Sequence, residues 1–304
     1  MKFESWLEKW LDIVKPKLKD SSYYRYKRYV RFQIAPELGQ FELTELSKEL
    51  LQTFAIKMSQ IVDATSAKNI VSLVKRALRY AEETKEVEVQ YADSIYCPAK
   101  TAPAKKRCLT EKQQLRLETY IRSKKPDKLF GIVLCLYTGL RAGELLALEW
   151  TDLDLKTGIL SVTKSCRDGY GEGKEVKVIG GTKTISSVRD IPIPKPLLPQ
   201  LRELKKNSVS RYVIEGKNGK AVSMRSYFNS LDRTLKKLDI PHIGLHGLRH
   251  TFATRAIESG MDAKTLSEIM GHSNATITLN VYTHSLSKHK FDMMNRLGKH
   301  LKAV

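Results

Sequence analysis

The feature that most constrains the fold of this 304-residue chain is the apolar segment LFGIVLCLYTGLRAGELLAL at positions 129–148. Its pattern is typical of a helix, and Gly139 breaks that helix because glycine is unfavourable in a helix interior. No apolar run in the chain approaches the roughly 18 residues that a membrane-spanning helix needs. The segment therefore predicts helices within a folded domain, with Cys135 as a small buried hydrophobic side chain.

Residues 1–97 carry helical patterns separated by short loops. Apolar residues recur at helical spacing, serines open the second pattern, and the prolines at positions 16 and 36 end the first two. The four predicted helices are 3–14, 21–36, 44–58 and 65–83. Short helices joined by short loops predict a small helical bundle.

A proline-containing basic segment, PAKTAPAKKR, follows this bundle at positions 98–107. Two prolines and small residues are typical of a linker. Its basic end, Lys105, Lys106 and Arg107, is predicted to follow the phosphate backbone of a nucleic acid, and a solvated spacer is the equally weighted alternative. The predicted domains are 1–97 and 108–304, joined by the linker 98–107.

The larger C-terminal part combines helices with a small sheet. Thr110 is expected to cap its first helix, and residues 159–194 alternate in strand fashion between Gly-rich and Ser-rich turns. Residues 211–215 predict a further short strand before the helical segment MRSYFNSLDRTLKKL, and the chain is predicted to be helical from there to its end. The fold class is therefore mainly α with a small antiparallel β-sheet: a helical N-terminal domain plus a mixed α+β domain.

Charge indicates the class of partner. The chain has 53 Lys and Arg against 33 Asp and Glu, a net charge of +20, and a pI of about 9.7. Residues 101–304 account for +17 of that charge. Because many Lys and Arg near phosphates release counterions, this imbalance favours a nucleic-acid partner over a soluble protein that is merely basic.

The cysteine spacing and the N-terminal residues argue against a protein held together by zinc or disulfides and against a secreted protein. The cysteines at positions 97, 108, 135 and 166 match no zinc or disulfide framework, so a reduced compartment and no structural metal are predicted. The first residues, MKFESWLEKW, place acidic side chains where a signal peptide has its apolar stretch. We therefore expect a cytoplasmic protein without a membrane segment.

Two arginine motifs in the larger domain point to phosphate binding. In TGLRAGE, Arg141 follows a glycine break and Glu144 lies three residues on, so a helix places the carboxylate beside the guanidinium. A surface ion pair of little consequence is the alternative. In HGLRH, His246 and Arg249 are three apart, so an arginine that clamps phosphate oxygens lies next to a histidine that exchanges a proton. His250 is expected to point elsewhere and to pack structurally.

Three further residues carry chemistry through their position. Gly271 is expected to end a helix, which places His272 at the start of the next turn, with a lone surface histidine as the alternative. Tyr282 lies ten residues later in NVYTH, and a buried core tyrosine is its ordinary interpretation. Lys183 lies in GGTKTISS, near a predicted hairpin turn, where its amine is expected to reach a cleft.

In this order, TGLRAGE, Lys183, HGLRH, GH and VYTH resemble the tyrosine recombinases, a family that includes phage and transposon integrases and chromosome-dimer resolvases. The resemblance is specific over residues 108–304 and weaker over 1–97. It implies a tyrosine-recombinase catalytic domain preceded by a helical core-binding domain, the two forming a clamp around duplex DNA. The family's extra N-terminal arm-binding domain is not visible in the sequence.

The resemblance also implies a role for each motif residue. Arg141 and Arg249 are expected to hold the scissile phosphate, and Tyr282 to attack it and form a 3′-phosphotyrosyl bond. Of the remaining residues, Lys183 is expected to protonate the leaving 5′-oxygen, His246 to act as acid–base partner, His272 to donate to the phosphate and Glu144 to support Arg141. Neither a metal nor ATP is required, since the covalent bond conserves the energy of the broken linkage.

The expected partners are double-stranded DNA at specific recombination sites and other copies of the chain. Four protomers on two sites are expected to exchange strands through a Holliday junction. The C-terminal segment, through Phe291, Met294 and Leu297 or Leu301, is expected to form a helix that docks on a neighbouring protomer, or else folds back on its own domain. A mobile-element integrase is favoured over a resolvase. A DNA-binding regulator on an inactive scaffold and a type IB topoisomerase-like enzyme are the alternatives from other classes.

Overall fold

The computed structural model describes residues 1–88, 92–98, 108–124, 127–171, 174–181, 187–216 and 219–272, together with positions 294, 295, 297, 298 and 301. The chain divides into two compact units. The first comprises Met1–Ala104 with Gly169–Val176, and the second comprises Lys105–Asp168 and Lys177–Val304. The domain bounds 1–97, 98–107 and 108–304 stay a prediction.

The described residues of the first unit form five α-helices around one apolar core. They are α1 (Phe3–Val14), α2 (Asp20–Tyr29), α3 (Ala35–Leu38), α4 (Lys48–Ile61) and α5 (Ala64–Glu83). The indoles of Trp6 and Trp10 are buried in this core, and Trp6 Nε1 donates to the carbonyl of Ala77 at 3.0 Å. Asp63 caps α5 by accepting from two backbone N–H groups of its first turn, which is a common way for a helix to begin.

The second and third helices differ from the predicted ones. A turn of π-helix, Val30–Ile34, joins α2 to α3, so the helical segment runs through Pro36 to Leu38. Pro36 is tolerated there because it occupies the first turn of α3, where its missing N–H costs little. Similarly, α4 begins after Ser47, whose hydroxyl accepts from Leu50 N–H, and not at position 44.

In the part of the chain that the structure describes, the second unit contains seven α-helices and three complete strands, and two further strands each have residues in both units. The helices are α6 (Glu111–Arg122), α7 (Phe130–Thr138), α8 (Ala142–Ala147), α9 (Leu198–Asn207), α10 (Met224–Lys237), α11 (Leu245–Glu258) and α12 (Ala263–Met270). The strands are β1 (Leu153–Asp154), β2 (Ile159–Val162), β3 (Lys164–Gly171), β4 (Lys174–Gly181) and β5 (Arg189–Pro192). Thr110 caps α6 as predicted, by accepting from Gln113 N–H.

The strands form two small antiparallel groups. The first has the order β1-β2-β5, with Leu160 of β2 opposite Ile191 of β5, and the second pairs β3 with β4. The predicted strand at 211–215 is wrong, since this segment makes only isolated bridges at Tyr212 and Glu215. Its partner is the short stretch around Trp150, which turns at once into a 3-10 helix, so the pairing does not extend.

Helix α7 lies at the centre of the second unit and packs mainly against α11. The prediction for Cys135 is confirmed: its side chain is fully buried, and burial raises the pKa of the thiol to about 12. Gly139 ends α7 in the left-handed conformation, with φ of +63°. A Cβ there would lie 2.4 Å from the ring of Phe252, so both the backbone and the packing require glycine. None of the helices that the structure describes is long and apolar enough to cross a membrane.

Candidate active site

Arg141 lies between two helices and is fixed by the first turn of the second. Its backbone N–H donates to Oε2 of Glu144 at 2.8 Å, and its Nη1 donates to Oε1 at 2.7 Å. The predicted contact is therefore present. The alternative of an unimportant surface pair does not fit Glu144, whose side chain is 3% exposed, because a buried carboxylate must be paired.

Arg249 is buried on α11, with 1% of its surface exposed. Its Nη1 donates to the carbonyl of Gly139 at 2.7 Å, and its Nη2 donates to that of Met270 at 2.6 Å. These contacts orient the guanidinium from two directions, the end of α7 and the end of α12. The buried charge is thus held by backbone dipoles that cannot move away.

His246 precedes Arg249 by one helical turn and is exposed. The prediction that His250 points elsewhere is wrong: its ring lies edge-on to that of His246, with the centroids 4.4 Å apart. The spacing explains this, since residues four apart on a helix are neighbours. His250 is itself buried, in agreement with a packed structural histidine.

The C-terminal end of α12 brings the arginines together. The carbonyls of its last two residues, Ile269 and Met270, and that of Gly271 just after it each accept from a different arginine: Arg189 Nε at 2.5 Å, Arg249 Nη2 at 2.6 Å and Arg141 Nη2 at 2.7 Å. Carbonyls at a helix end have no partner inside the helix and carry partial negative charge, so cations stabilise them. We call this set of three side chains with Glu144 the arginine cluster.

Gly271 ends α12 as predicted, with φ of +61°, and His272 follows it directly. The His272 backbone N–H donates to the carbonyl of Ser267 at 3.0 Å, so the histidine is part of the helix cap. Burial, with the charges of Arg249, Arg141, Arg189 and His246, lowers the pKa of His272 to about 4. The imidazole is therefore neutral at physiological pH and has one N–H to donate.

Arg189 is the site residue that the sequence motifs did not reveal. It begins β5, its side chain is 7% exposed, and its two Nη atoms meet the two carboxylate oxygens of Glu144 at 2.9 and 3.1 Å. Burial by itself raises the pKa of Glu144, but the hydrogen bonds and charge of Arg189 and Arg141 outweigh it, and the pKa is lowered. Glu144 is thus an ionised bridge between two arginines.

Several predicted residues lie outside the described residues. They are Lys105, Lys106, Arg107, Lys183 and Tyr282, together with Phe291 of the C-terminal segment. Lys183 follows the end of β4 by two positions, and Tyr282 follows His272 by ten. Within the part that is described, no group of three or more His, Cys, Asp or Glu side chains is arranged to hold a metal ion.

Two models of known protein families match the chain. A model described as the phage integrase family matches residues 107–289, and one described as the phage integrase N-terminal SAM-like domain matches residues 2–59. The chain belongs to the phage integrase family. The resemblance to tyrosine recombinases is confirmed, and so is the fold class of a helical N-terminal domain followed by a mixed catalytic domain.

Curated relatives of this phage integrase family member include a XerC-like tyrosine recombinase of Caldanaerobacter subterraneus, 28% identical over 95% of this chain and 81% of the relative. The XerA recombinase of Pyrococcus furiosus is 33% identical over 65% of the chain, and the transposase of transposon Tn916 from Enterococcus faecalis is 30% identical over 64%. The chain spans 63% and 52% of the length of these last two.

Solved structures extend the likeness to both domains. The integrase of transposon Tn1549, in complex with a circular intermediate DNA, is 25% identical, has a TM-score of 0.80 and is matched over 98% of this chain and 99% of that one. A lambda integrase tetramer bound to a Holliday junction is 20% identical with a TM-score of 0.71, over 91% of this chain and 79% of that one. At that identity the second likeness supports the fold alone.

Proposed function

We propose that this chain is a site-specific DNA recombinase of a mobile element, which cleaves and rejoins duplex DNA through a 3′-phosphotyrosyl intermediate and a Holliday junction. The observation that carries the proposal is the arginine cluster at the end of α12, where Arg141 and Arg249 are fixed beside His272. Positively charged donors held rigidly before the substrate arrives are what a phosphoryl-transfer transition state needs.

The proposed reaction begins with the phenolic oxygen of Tyr282 attacking the phosphorus in line. A phosphotyrosyl bond forms, the bond from phosphorus to the 5′-oxygen breaks, and that oxygen takes a proton from Lys183. His246 serves as acid–base partner for the phenolic proton. In the second step the 5′-hydroxyl of another strand attacks the same phosphorus and releases Tyr282, so no metal, ATP or other cofactor is consumed.

Arg141 and Arg249 are proposed to bind the scissile phosphate and His272 to donate its N–H to it. Arg141 suits this role because its side chain is 37% exposed, while its contacts with Glu144 and Gly271 fix its plane. A guanidinium carries five N–H donors in a planar fork, and those two side-chain contacts use only two of them. Glu144 supports Arg141 and does not touch the DNA.

The proposed partners are double-stranded DNA and three further copies of the chain. Residues 1–97 are assigned to core-site binding, 98–107 with Lys105, Lys106 and Arg107 to the phosphate backbone, and 108–304 to catalysis. The complex of the Tn1549 integrase with a circular intermediate DNA supports the DNA partner. The proposed location is the cytoplasm, at the nucleoid of a bacterium that carries the phage or transposon.

A chromosome-dimer resolvase is the second candidate function. The XerC-like and XerA recombinases among the relatives favour it, while the transposases favour an integrase. Plasmids that carry DNA flanking the gene test the two roles. Recombination between the ends of the surrounding element supports an integrase, and recombination at a single chromosomal site supports a resolvase.

The proposed chemistry is tested by covalent trapping on nicked suicide duplexes made from DNA that flanks the gene. We expect wild type and the control Tyr120→Phe to form an adduct, and Tyr282→Phe to bind the duplex without forming one. Mass spectrometry should map the phosphotyrosyl peptide to Tyr282. An adduct on a different tyrosine, or equal adduct formation by Tyr282→Phe, contradicts the assignment.

Relaxation of a supercoiled plasmid distinguishes the two alternatives from other classes. A recombinase is expected to act only on plasmids that carry its site, whereas a topoisomerase-like enzyme relaxes any supercoiled plasmid. Tight, salt-sensitive binding to the flanking DNA with no adduct from wild type would indicate a regulator on an inactive scaffold.

A further inference from the structure

Arg189 is a buried arginine at the start of β5 for which the proposed chemistry has no use, yet it contacts two parts of the site at once. We infer that Arg189 is a positioning residue: it takes up the charge of Glu144 and anchors the end of α12, so that Arg141 and His272 are held ready for the scissile phosphate. This inference rests on the proposed recombinase function and deepens it.

Arg141 and Arg189 each donate two hydrogen bonds to the carboxylate of Glu144. Oε1 accepts from Nη1 of Arg141 and from Nη1 of Arg189, and Oε2 accepts from the backbone N–H of Arg141 and from Nη2 of Arg189. A carboxylate offers about four lone-pair positions, so these four hydrogen bonds satisfy it. Arg189 alone makes the paired, fork-like contact that its planar guanidinium favours.

This division matters for charge. Glu144 is 3% exposed, so its negative charge must be balanced inside the protein. With Arg141 as its only partner, it would cancel the positive charge that is meant for the phosphate. With Arg189 present, Arg189 and Glu144 form a neutral pair, and the charge of Arg141 remains available to the DNA.

The second contact concerns position. Nε of Arg189 donates to the carbonyl of Ile269, in the last turn of α12. The same side chain packs so closely on the left-handed turn that a Cβ at Gly271 would lie 3.0 to 3.2 Å from its atoms. Because His272 follows Gly271, a shift of this turn moves the histidine and the carbonyls that orient Arg141 and Arg249.

The test compares Arg189→Met with wild type on the same nicked suicide duplexes. Methionine fills a similar volume without charge. Because the three side-chain nitrogens of Arg189 already donate to Ile269, Ser187 and Glu144, we expect the DNA dissociation constant to stay within about 2-fold. The rate of adduct formation at saturating DNA should fall about 100-fold, which is the loss expected when catalytic groups are displaced by about 1 Å.

Two further variants separate positioning from a general structural role. Arg255→Met is the matched control, since Arg255 also pairs with a glutamate, Glu258, and donates to a backbone carbonyl, that of Leu109, but lies outside the arginine cluster. It should keep the wild-type rate. Adding Glu144→Gln to Arg189→Met should restore the rate about tenfold, because a neutral amide no longer cancels the charge of Arg141.

The inference is overturned if Arg189→Met forms the adduct at the wild-type rate, if Arg255→Met is slowed equally, or if Glu144→Gln slows the Arg189→Met variant further. A wild type without any adduct contradicts the proposed function instead. In that case amide hydrogen exchange without DNA decides: faster exchange at residues 268–272 in Arg189→Met than in Arg255→Met supports the positioning role, and equal exchange refutes it.

Discussion

Arginines on α2 and on the π-helical turn that follows it, in the first unit, lie at the surface, whereas Arg249 and Arg189 of the arginine cluster in the second unit are almost fully buried. Arg25, Arg28 and Arg31 are exposed, and each lies 5.3 to 6.0 Å from the centre of a neighbouring aromatic ring. Arg249 instead donates to two backbone carbonyls. Arg189 donates to one backbone carbonyl and to the buried Glu144. Arginine side chains therefore occur in two environments in this chain, one exposed and one buried.

The difference in exposure indicates two functions for these arginines, DNA binding and catalysis. An exposed guanidinium can contact DNA phosphates whatever the base sequence, and salt screens its attraction to them. It therefore serves DNA binding. A buried guanidinium must be paired, is costly to remove and keeps its orientation, so it serves chemistry that depends on position. The predictions below test this separation, from the largest expected effect to the smallest.

Removing Glu144 should have the largest effect on folding. Glu144→Ala leaves Arg189 and Arg141 without their shared carboxylate, and breaking a buried ion pair costs about 3–5 kcal/mol. Chemical denaturation of Glu258→Ala gives the control, because Glu258 pairs with Arg255 nearer the surface, where such a pair contributes about 0–1 kcal/mol. Equal losses in the two variants would contradict the proposed importance of burial.

Removing the exposed arginines should change DNA binding and little else. In the triple variant Arg25→Gln, Arg28→Gln and Arg31→Gln, the slope of log affinity against log salt should fall by about 2 to 3, since each lost phosphate contact removes about 0.9. Stability should change by no more than about 0.5 kcal/mol per substitution. An unchanged salt slope would show that this face of α2 and of the π-helical turn after it does not meet the DNA backbone.

The smallest effect concerns pH. The pKa of His272 in the folded chain is about 4, below its ordinary 6.5, so the neutral form is favoured by folding. The resulting stability is present above about pH 6.5 and is lost as the pH falls towards 4, by about 1 kcal/mol after solvent screening. His272→Asn should remove this part of the pH dependence. An identical curve for the two proteins would contradict the lowered pKa.

Local sequence patterns were sufficient for those parts of the site that depend on neighbours along the chain. Gly139 and Gly271 were predicted to end helices, and both have positive φ. The spacing of three between Arg141 and Glu144 predicted their contact. In each case the geometry of one helix end determines the result, so no distant residue had to be known.

The arginine cluster as a whole was not predictable in the same way. Arg189 meets Glu144 from 45 positions away, and the carbonyls of α12 leave no mark in the sequence. One signal was nevertheless present. Arg189, Ile191 and Ile193 alternate, and both isoleucines are buried, so the strand pattern places an arginine on the buried face, where it requires a partner.

Single-turnover adduct formation at saturating DNA tests the central claim most directly, with Arg249→Gln measured beside the triple variant of Arg25, Arg28 and Arg31. Each protein is assayed well below its own melting temperature, and its dissociation constant is measured on the same duplex. We predict that Arg249→Gln lowers the rate by on the order of 100- to 1,000-fold with little loss of affinity. The triple variant should lose affinity and keep its rate within about 2-fold. Wild-type cleavage by Arg249→Gln, or an equal fall in rate for the triple variant, would contradict the separation of binding from chemistry.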